Sequence, residues 1–232
     1  TLERRRGAKI RAKGVYRDSV RSSKSFFVKS AGLRWVAMML LVPIPWAGCV
    51  WALPFFVQLA PSERYHQEQG KPHKTVTEWA WHMIRQVRRW LPERALVFVA
   101  DQSYAALELL DRCNSLSHPV TMITRLRLDA ALYEPAPPRL PGQKGRPRKK
   151  GERLPTLLRR LADPATMWTP TNIANWYGQG PRTIETATGA CVWYHSGKPV
   201  VPIRWVLIRD PEGSFEAQAL LCTDLNLTPE QI

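Results

Sequence analysis

Cysteine is scarce in this chain and does not cluster: Cys49, Cys113, Cys191 and Cys222 lie far apart and form no C-x-x-C pair. Neither a zinc site nor a disulfide framework is indicated, and the four read as reduced, mostly buried thiols of a cytoplasmic protein. Acidic side chains are also few, 19 against 34 Lys and Arg, for a formal charge of +15. The deficit is local. Residues 1–30 carry ten Lys and Arg against Glu3 and Asp18, and residues 139–160 carry nine against Glu152, so each block is +8 and the remainder nearly neutral. Two basic patches on a balanced body point to a polyanionic partner, because clustered cations displace counterions condensed on phosphate. Nucleic acid is the first such partner and an anionic membrane surface the second. The opening "TLERRRG" has neither a Met nor a secretory-type apolar stretch, and the chain reads as a piece of something longer. With 232 residues, 44% of them hydrophobic, there is enough apolar material for one sizeable core, or a core and a smaller subdomain. No internal repeat is present.

Charge is wholly missing from Trp35 to Ser62, just after Lys29 and Arg34. By length this stretch could span a membrane. Pro43, Pro45, Gly48 and Pro54 cut it into strand-length pieces with "PIPWAG" as a turn. Two buried strands, roughly 33–42 and 49–59, are the expectation, and a basic membrane-associated protein is the rival.

Thr75 and Glu78 form a T-x-x-E capping box, followed by an apolar stripe of Val76, Ala80, Met83, Ile84, Val87 and Leu91 up to Pro92. Arg85, Arg88 and Arg89 lie off that stripe, as a solvated face or a DNA contact. "ALVFVA", 95–100, reads as a strand covered on both faces. A helix over about 103–113 follows, with Ala106, Leu107 and Leu110 inward, and then a strand over 119–127. A strand, helix, strand unit favours parallel pairing of its strands. Residues 133–155, rich in Pro and basic residues, form an exposed loop. Beyond it "TIETATGACVWYH", "PIRWVLIRD" and "FEAQALLCTD" are strand-like, the last two joined by a "DPEG" turn. Phe215, Ala217, Ala219 and Leu221 alternate with Glu216 and Gln218, giving one buried and one wet face.

Asp101 stands where the apolar strand ends and the helical pattern begins. The end of a buried strand faces the crevice in which open α/β sheets bind ligands, so Asp101 reads either as a helix cap or as one ligand of a metal site. Two-metal phosphoryl chemistry needs several carboxylates from different elements.

"TLERRRGAKIRAKGVYRD", "AGLRW", "LPERALVFVADQSYAALELL", "RLRLDAALYEPAPPRLPGQKGRPRKKGERLP" and "LLCTDLNLTPEQI" together resemble bacterial insertion-sequence transposases of the DDE type. The resemblance covers nearly the whole chain. It implies a ribonuclease H-like α/β fold, a mixed sheet flanked by helices with a β-rich insertion, and a metal-dependent DNA endonuclease and strand transferase using Mg²⁺ or Mn²⁺. Two aspartates and a glutamate hold the metals in that family. Asp101 matches the second aspartate and is the one catalytic, metal-binding residue carried over. The first would lie just upstream of Thr1, and the glutamate on a helix that "LTPEQI" only begins, with Thr228 as cap and Pro229 first. Glu230 comes too early for that glutamate, and Asp18, Asp210 and Asp224 match no catalytic position. The expected division is a ribonuclease H-like core over 1–132, a basic loop over 133–160, a β-rich insertion over 161–224 and a helix start over 225–232. A catalytically inactive DNA-binding remnant of such a transposase is the closest rival.

The implied partner is double-stranded DNA at transposon ends and target, with a homodimer in the DNA complex, no membrane, and a nucleoid-associated bacterial setting. The expected DNA-binding residues are Arg4, Arg5, Arg6, Lys9, Arg11 and Lys13 in the first block, and Lys144, Arg146, Arg148, Lys149 and Lys150 in the second. "KGRPRKKG" has the Gly-Arg-Pro core of an AT-hook, which slides into a narrow A·T minor groove, though a plain phosphate-gripping loop fits the same residues. Trp168, Trp176 and Tyr177 either stack on exposed bases or pack within the fold.

Overall fold

The computed structural model describes the chain except residues 1, 4–6, 8, 19, 20, 24, 140, 141, 143 and 177, and of residues 2 and 3 the backbone alone. The chain divides into two compact units, Thr1–Trp90 and Leu91–Ile232.

In the first unit β1 (Leu2–Glu3), β2 (Gly14–Arg17) and β3 (Lys29–Leu33) make an antiparallel sheet in the order β1-β3-β2. After Arg34 comes a hairpin of β4 (Trp35–Ile44) and β5 (Cys49–Leu59), with a register shift at Met38/Met39. Its turn is a short 3₁₀ segment, Pro45–Ala47, closed by Gly48 at φ 61, a left-handed conformation that glycine adopts without a Cβ clash. The two strands expected from the proline spacing are present, but their expected burial is not. Val36 and Met38 face inward, whereas Leu40, Leu41, Trp46, Val50 and Trp51 are exposed. A two-stranded ribbon has no third strand or second layer of its own with which to cover both faces.

A short helix, α1 (Glu63–Glu68), is capped by Ser62. The long helix α2 (Val76–Trp90) starts on the expected capping box: Thr75 N donates to Glu78 Oε2 at 2.6 Å and Glu78 N to Thr75 Oγ1 at 3.3 Å. Ala80, Met83, Ile84 and Val87 are buried as expected. Two expectations change: Leu91 lies beyond the helix and is exposed, and Arg88 is buried, its long stem extending the apolar stripe. Among the described residues no helix is long and apolar enough to cross a membrane.

The second unit is built on one seven-stranded sheet. Its strands are β6 (Val97–Ala100), β7 (Thr121–Leu126), β8 (Leu132–Tyr133), β9 (Thr169–Ile173), β10 (Arg182–Tyr194), β11 (Val200–Arg209) and β12 (Gln218–Cys222). The order is β6-β7-β12-β11-β10-β8, with β9 also paired to β10. β6 and β7 are parallel, as a strand, helix, strand unit requires, and the other pairs are antiparallel. The mixed sheet with few helices is that of a ribonuclease H-like α/β fold. β10, β11 and β12 belong to the same sheet as β6 and β7, Leu221 lying opposite Thr124.

Coverage of β6 on both faces is not found. It is an edge strand, with Val97 and Val99 53% and 62% exposed. The expected single helix after it divides: Gln102–Tyr104 is a 3₁₀ turn and α3 (Leu107–Asn114) follows, burying Leu107, Leu109, Leu110 and Cys113. The shorter α4 (Leu157–Ala162) buries Leu157. The core of this unit includes Met122, Leu132, Val201, Ile203, Leu207 and Leu221. The "DPEG" turn forms as expected, Gly213 N donating to the Asp210 carbonyl at 3.1 Å with Gly213 at φ 69. Ala219 and Leu221 are buried on the expected face of β12.

All four cysteines are free; Cys113, Cys191 and Cys222 are buried and Cys49 is partly exposed. Burial pushes the Cys113 and Cys191 thiols up to about 12, and raises Cys222 above its ordinary value. The thiolate is the reactive form, so an aromatic disulfide reagent at pH 8 is expected to modify Cys49 promptly and the other three only on unfolding. Native-state release of more than one equivalent in the fast phase would contradict this packing.

Candidate nucleic-acid interface and the Asp101 corner

β6 delivers its last residue, Ala100, to the end of the sheet, and the chain turns at Asp101 with φ −73 and ψ 176. Asp101 Oδ1 accepts from Ser103 N at 2.7 Å and from the Ser103 hydroxyl at 2.5 Å. Asp101 therefore caps the 3₁₀ turn that leads into α3. Its carboxylate is exposed, and Oδ2 has no hydrogen bond among the described residues. Capping by one oxygen leaves the second available to a ligand.

The other carboxylates considered from sequence have local duties. Asp18 accepts from Arg21 N at 3.1 Å. Asp210 takes Arg182 Nη2 at 2.7 Å and Ser214 N at 2.6 Å, and the Ser214 hydrogen bonds are foremost in holding its carboxyl below the ordinary value. Asp224 accepts from Asn226 N at 2.9 Å. Glu230 lies in a 3₁₀ turn, Pro229–Gln231, begun by Thr228, whose side chain lowers the Glu230 pKa by hydrogen bonding. Among the described residues no three His, Cys, Asp or Glu side chains converge so as to hold a metal ion. Divalent ions at short separation need several negative ligands, so the described residues do not by themselves form such a centre.

Of the first basic block, Arg4, Arg5 and Arg6 lie outside the described residues, and Lys9, Arg11 and Lys13 are exposed. The second block forms a loop closed at its stem by backbone bonds. Glu134 N donates to the Glu152 carbonyl at 2.9 Å, Gly151 N to the Glu134 carbonyl at 2.8 Å, and Leu154 N to the Leu132 carbonyl at 2.9 Å. Lys144, Arg146, Arg148 and Lys149 project from this loop into solvent. Lys150 differs from them: its Nζ sits 3.3 Å from the Tyr133 ring centroid and 4.8 Å from that of Tyr194, so it fastens the stem through cation–π contacts. Arg139 Nη2 adds a bond to the Gly145 carbonyl at 3.1 Å. Tyr133 and Tyr194 escaped sequence reasoning because they are 61 positions apart; their pairing depends on β8 reaching β10, which no local pattern shows.

Trp176 stacks on Phe215 at 5.3 Å, with the Arg182 guanidinium 5.6 Å from one ring and 5.2 Å from the other. Both rings pack on Ile184, Val206 and Ile208, which is the packing role. Trp168 carries the Arg209 guanidinium 4.0 Å from its centroid, and Tyr177 lies outside the described residues.

An apolar strand running into Asp101, a parallel neighbour in a mixed sheet and a projecting basic loop define a class: an α/β domain with a strand-end carboxylate and an exposed basic loop. The family described as DDE superfamily endonuclease matches residues 1–198, and the chain belongs to it. Comparison with curated proteins gives no match. The domain is thus a transposase-like nuclease domain, its family acts on DNA, and endonucleases of this superfamily typically use divalent metal ions.

Proposed function

We propose that the chain is part of an insertion-sequence transposase that cleaves and transfers DNA strands in the bacterial cytoplasm, with Asp101 as one ligand of its Mg²⁺ or Mn²⁺ site. The observation that carries this reading is the exposed Asp101 carboxylate at the C-terminal end of β6, inside the stretch that matches the endonuclease family. Lys9, Arg11 and Lys13, together with Lys144, Arg146, Arg148 and Lys149, supply the charge that holds duplex phosphates, and Lys150 fixes the loop that carries the second group. Cleavage of DNA bearing the element's ends by the full-length gene product tests the reading. Binding without cleavage would leave a DNA-binding remnant in its place.

The loop residues Gly145, Arg146, Pro147 and Arg148 lie in the exposed part of the loop, as a minor-groove hook requires. Arg146→Ala with Arg148→Ala is expected to weaken A·T-rich duplexes about tenfold more than G·C-rich ones in a gel-shift titration, because a narrow A-tract groove concentrates negative potential. Equal loss on both duplexes would make the segment a phosphate clamp.

A further inference from the structure

In the first unit α2 packs beside β5, leaving a cavity of about 270 Å³ between them. Its walls come from two regular spacings. Phe56 and Gln58 are alternate residues of β5 and share one face of the strand. Trp79, Gln86 and Arg89 recur at helical spacing along α2, with Arg85 beside them. The sequence pattern placed Arg85 and Arg89 off the apolar stripe, as a solvated face or a DNA contact; the structure sets them on the rim of a cavity.

Three properties of this cavity belong together. Arg85 and Arg89 are exposed and have no acidic partner among the described residues, and Lys74 Nζ lies 4.8 Å from the Trp79 ring centroid, so the surroundings are cationic. Two aromatic rings, Phe56 and Trp79, line it, and the buried Trp79 Nε1 has no hydrogen-bond acceptor among the described residues. Gln58 and Gln86 bring amide groups, each able to donate and accept. Buried indole N–H groups ordinarily find a partner, so an acceptor is wanted here.

We propose that this cavity binds one unstacked nucleotide of single-stranded DNA. A base is a planar ring with acceptors and donors on its edge, matching aromatic walls and glutamine amides, and its phosphates match Arg85 and Arg89. An acidic peptide would use the arginines but leave the aromatic walls without a stacking partner. A duplex does not fit, because about 270 Å³ admits one ring system and no stacked pair, so the nucleotide must come from a single strand or be flipped from a helix. The proposal rests on DNA as the substrate, and adds a second binding locus with a different preference from the basic loop.

The test compares affinities of the whole chain for a fluorescein-labelled single strand of mixed sequence and for its duplex, by anisotropy at one salt concentration. Arg85→Gln with Arg89→Gln is expected to weaken the single strand at least tenfold and the duplex less than threefold. Both side chains are exposed, so the fold should be retained. Trp79→Phe, which keeps a ring and removes the N–H, is expected to weaken the single strand several-fold. Arg146→Ala with Arg148→Ala should do the reverse, costing the duplex more than the single strand. Equal loss on both DNAs with the Arg85 and Arg89 changes, no loss on either, or displacement of the single strand by poly-glutamate as readily as by unlabelled strand would overturn the proposal. If the unaltered chain bound neither DNA, the substrate reading itself would fall, and the cavity assignment with it.

Discussion

Affinity for duplex DNA is expected to fall about a thousandfold between 50 and 200 mM salt. Each phosphate neutralised releases condensed counterion, and the dependence of log K on log salt has a slope of roughly −0.9 per phosphate on B-DNA. The exposed cations of the two blocks, Lys9, Arg11, Lys13, Lys144, Arg146, Arg148 and Lys149, support about six such contacts and so a slope near −5. Lys150 adds little to this number, since its half-buried ammonium is held at the loop stem against Tyr133 and Tyr194. A titration series at four salt concentrations measures the slope. A value near zero, or no binding at 50 mM salt, would remove the electrostatic basis of DNA recognition.

The second large effect concerns Asp101. In the full-length gene product Asp101→Asn is expected to lower metal-dependent cleavage by more than about a hundredfold, since even hydrogen-bond partners of metal ligands cost roughly 10–100-fold when lost. Folding and DNA affinity should be nearly unchanged. Asn is as good a cap as Asp, so its side-chain oxygen can keep the bond from Ser103 N while the negative charge is gone. Ser103→Ala provides the converse: it removes the Ser103 hydroxyl bond and leaves the carboxylate, and should lower thermal stability slightly while sparing cleavage. Full cleavage by Asp101→Asn would return Asp101 to capping alone.

Local chemistry was readable where the physics is local. The capping box at Thr75 and Glu78, the Pro45–Gly48 turn that separates β4 from β5, the turn at Asp210–Gly213 and the parallel pairing of β6 with β7 all follow from spacing within a few tens of residues. Burial was less readable because it depends on what an element finds to pack against. "VFVA" has the composition of a central strand, yet β6 lies at a sheet edge with Val97 and Val99 open, and the apolar hairpin exposes Leu40, Trp46 and Trp51. Arg88, off the apolar stripe by helical spacing, reads as part of a solvated face or a DNA contact, yet it is buried. For the candidate site, Asp101 was legible as a residue at a strand end, and both readings of it, cap and ligand, draw on different oxygens of one carboxylate. The cavity beside α2 was not legible, because Phe56 and Gln58 of its wall come from β5, some twenty to thirty residues earlier in sequence than the α2 residues they face, and no periodicity connects a strand face with a helix face.

The clasp at Lys150 bears on what binding costs. A loop whose two ends wander must lose conformational freedom when it grips a groove, and that loss subtracts from affinity. Here the ends are drawn together by the bonds between Glu134 and Glu152 and between Gly151 and Glu134, and the Lys150 ammonium rests on two tyrosine rings. Closure entropy is spent when the domain folds, before any DNA arrives. Arg146 and Arg148 are thus carried on a loop whose two ends are already joined, and binding does not have to bring those ends together.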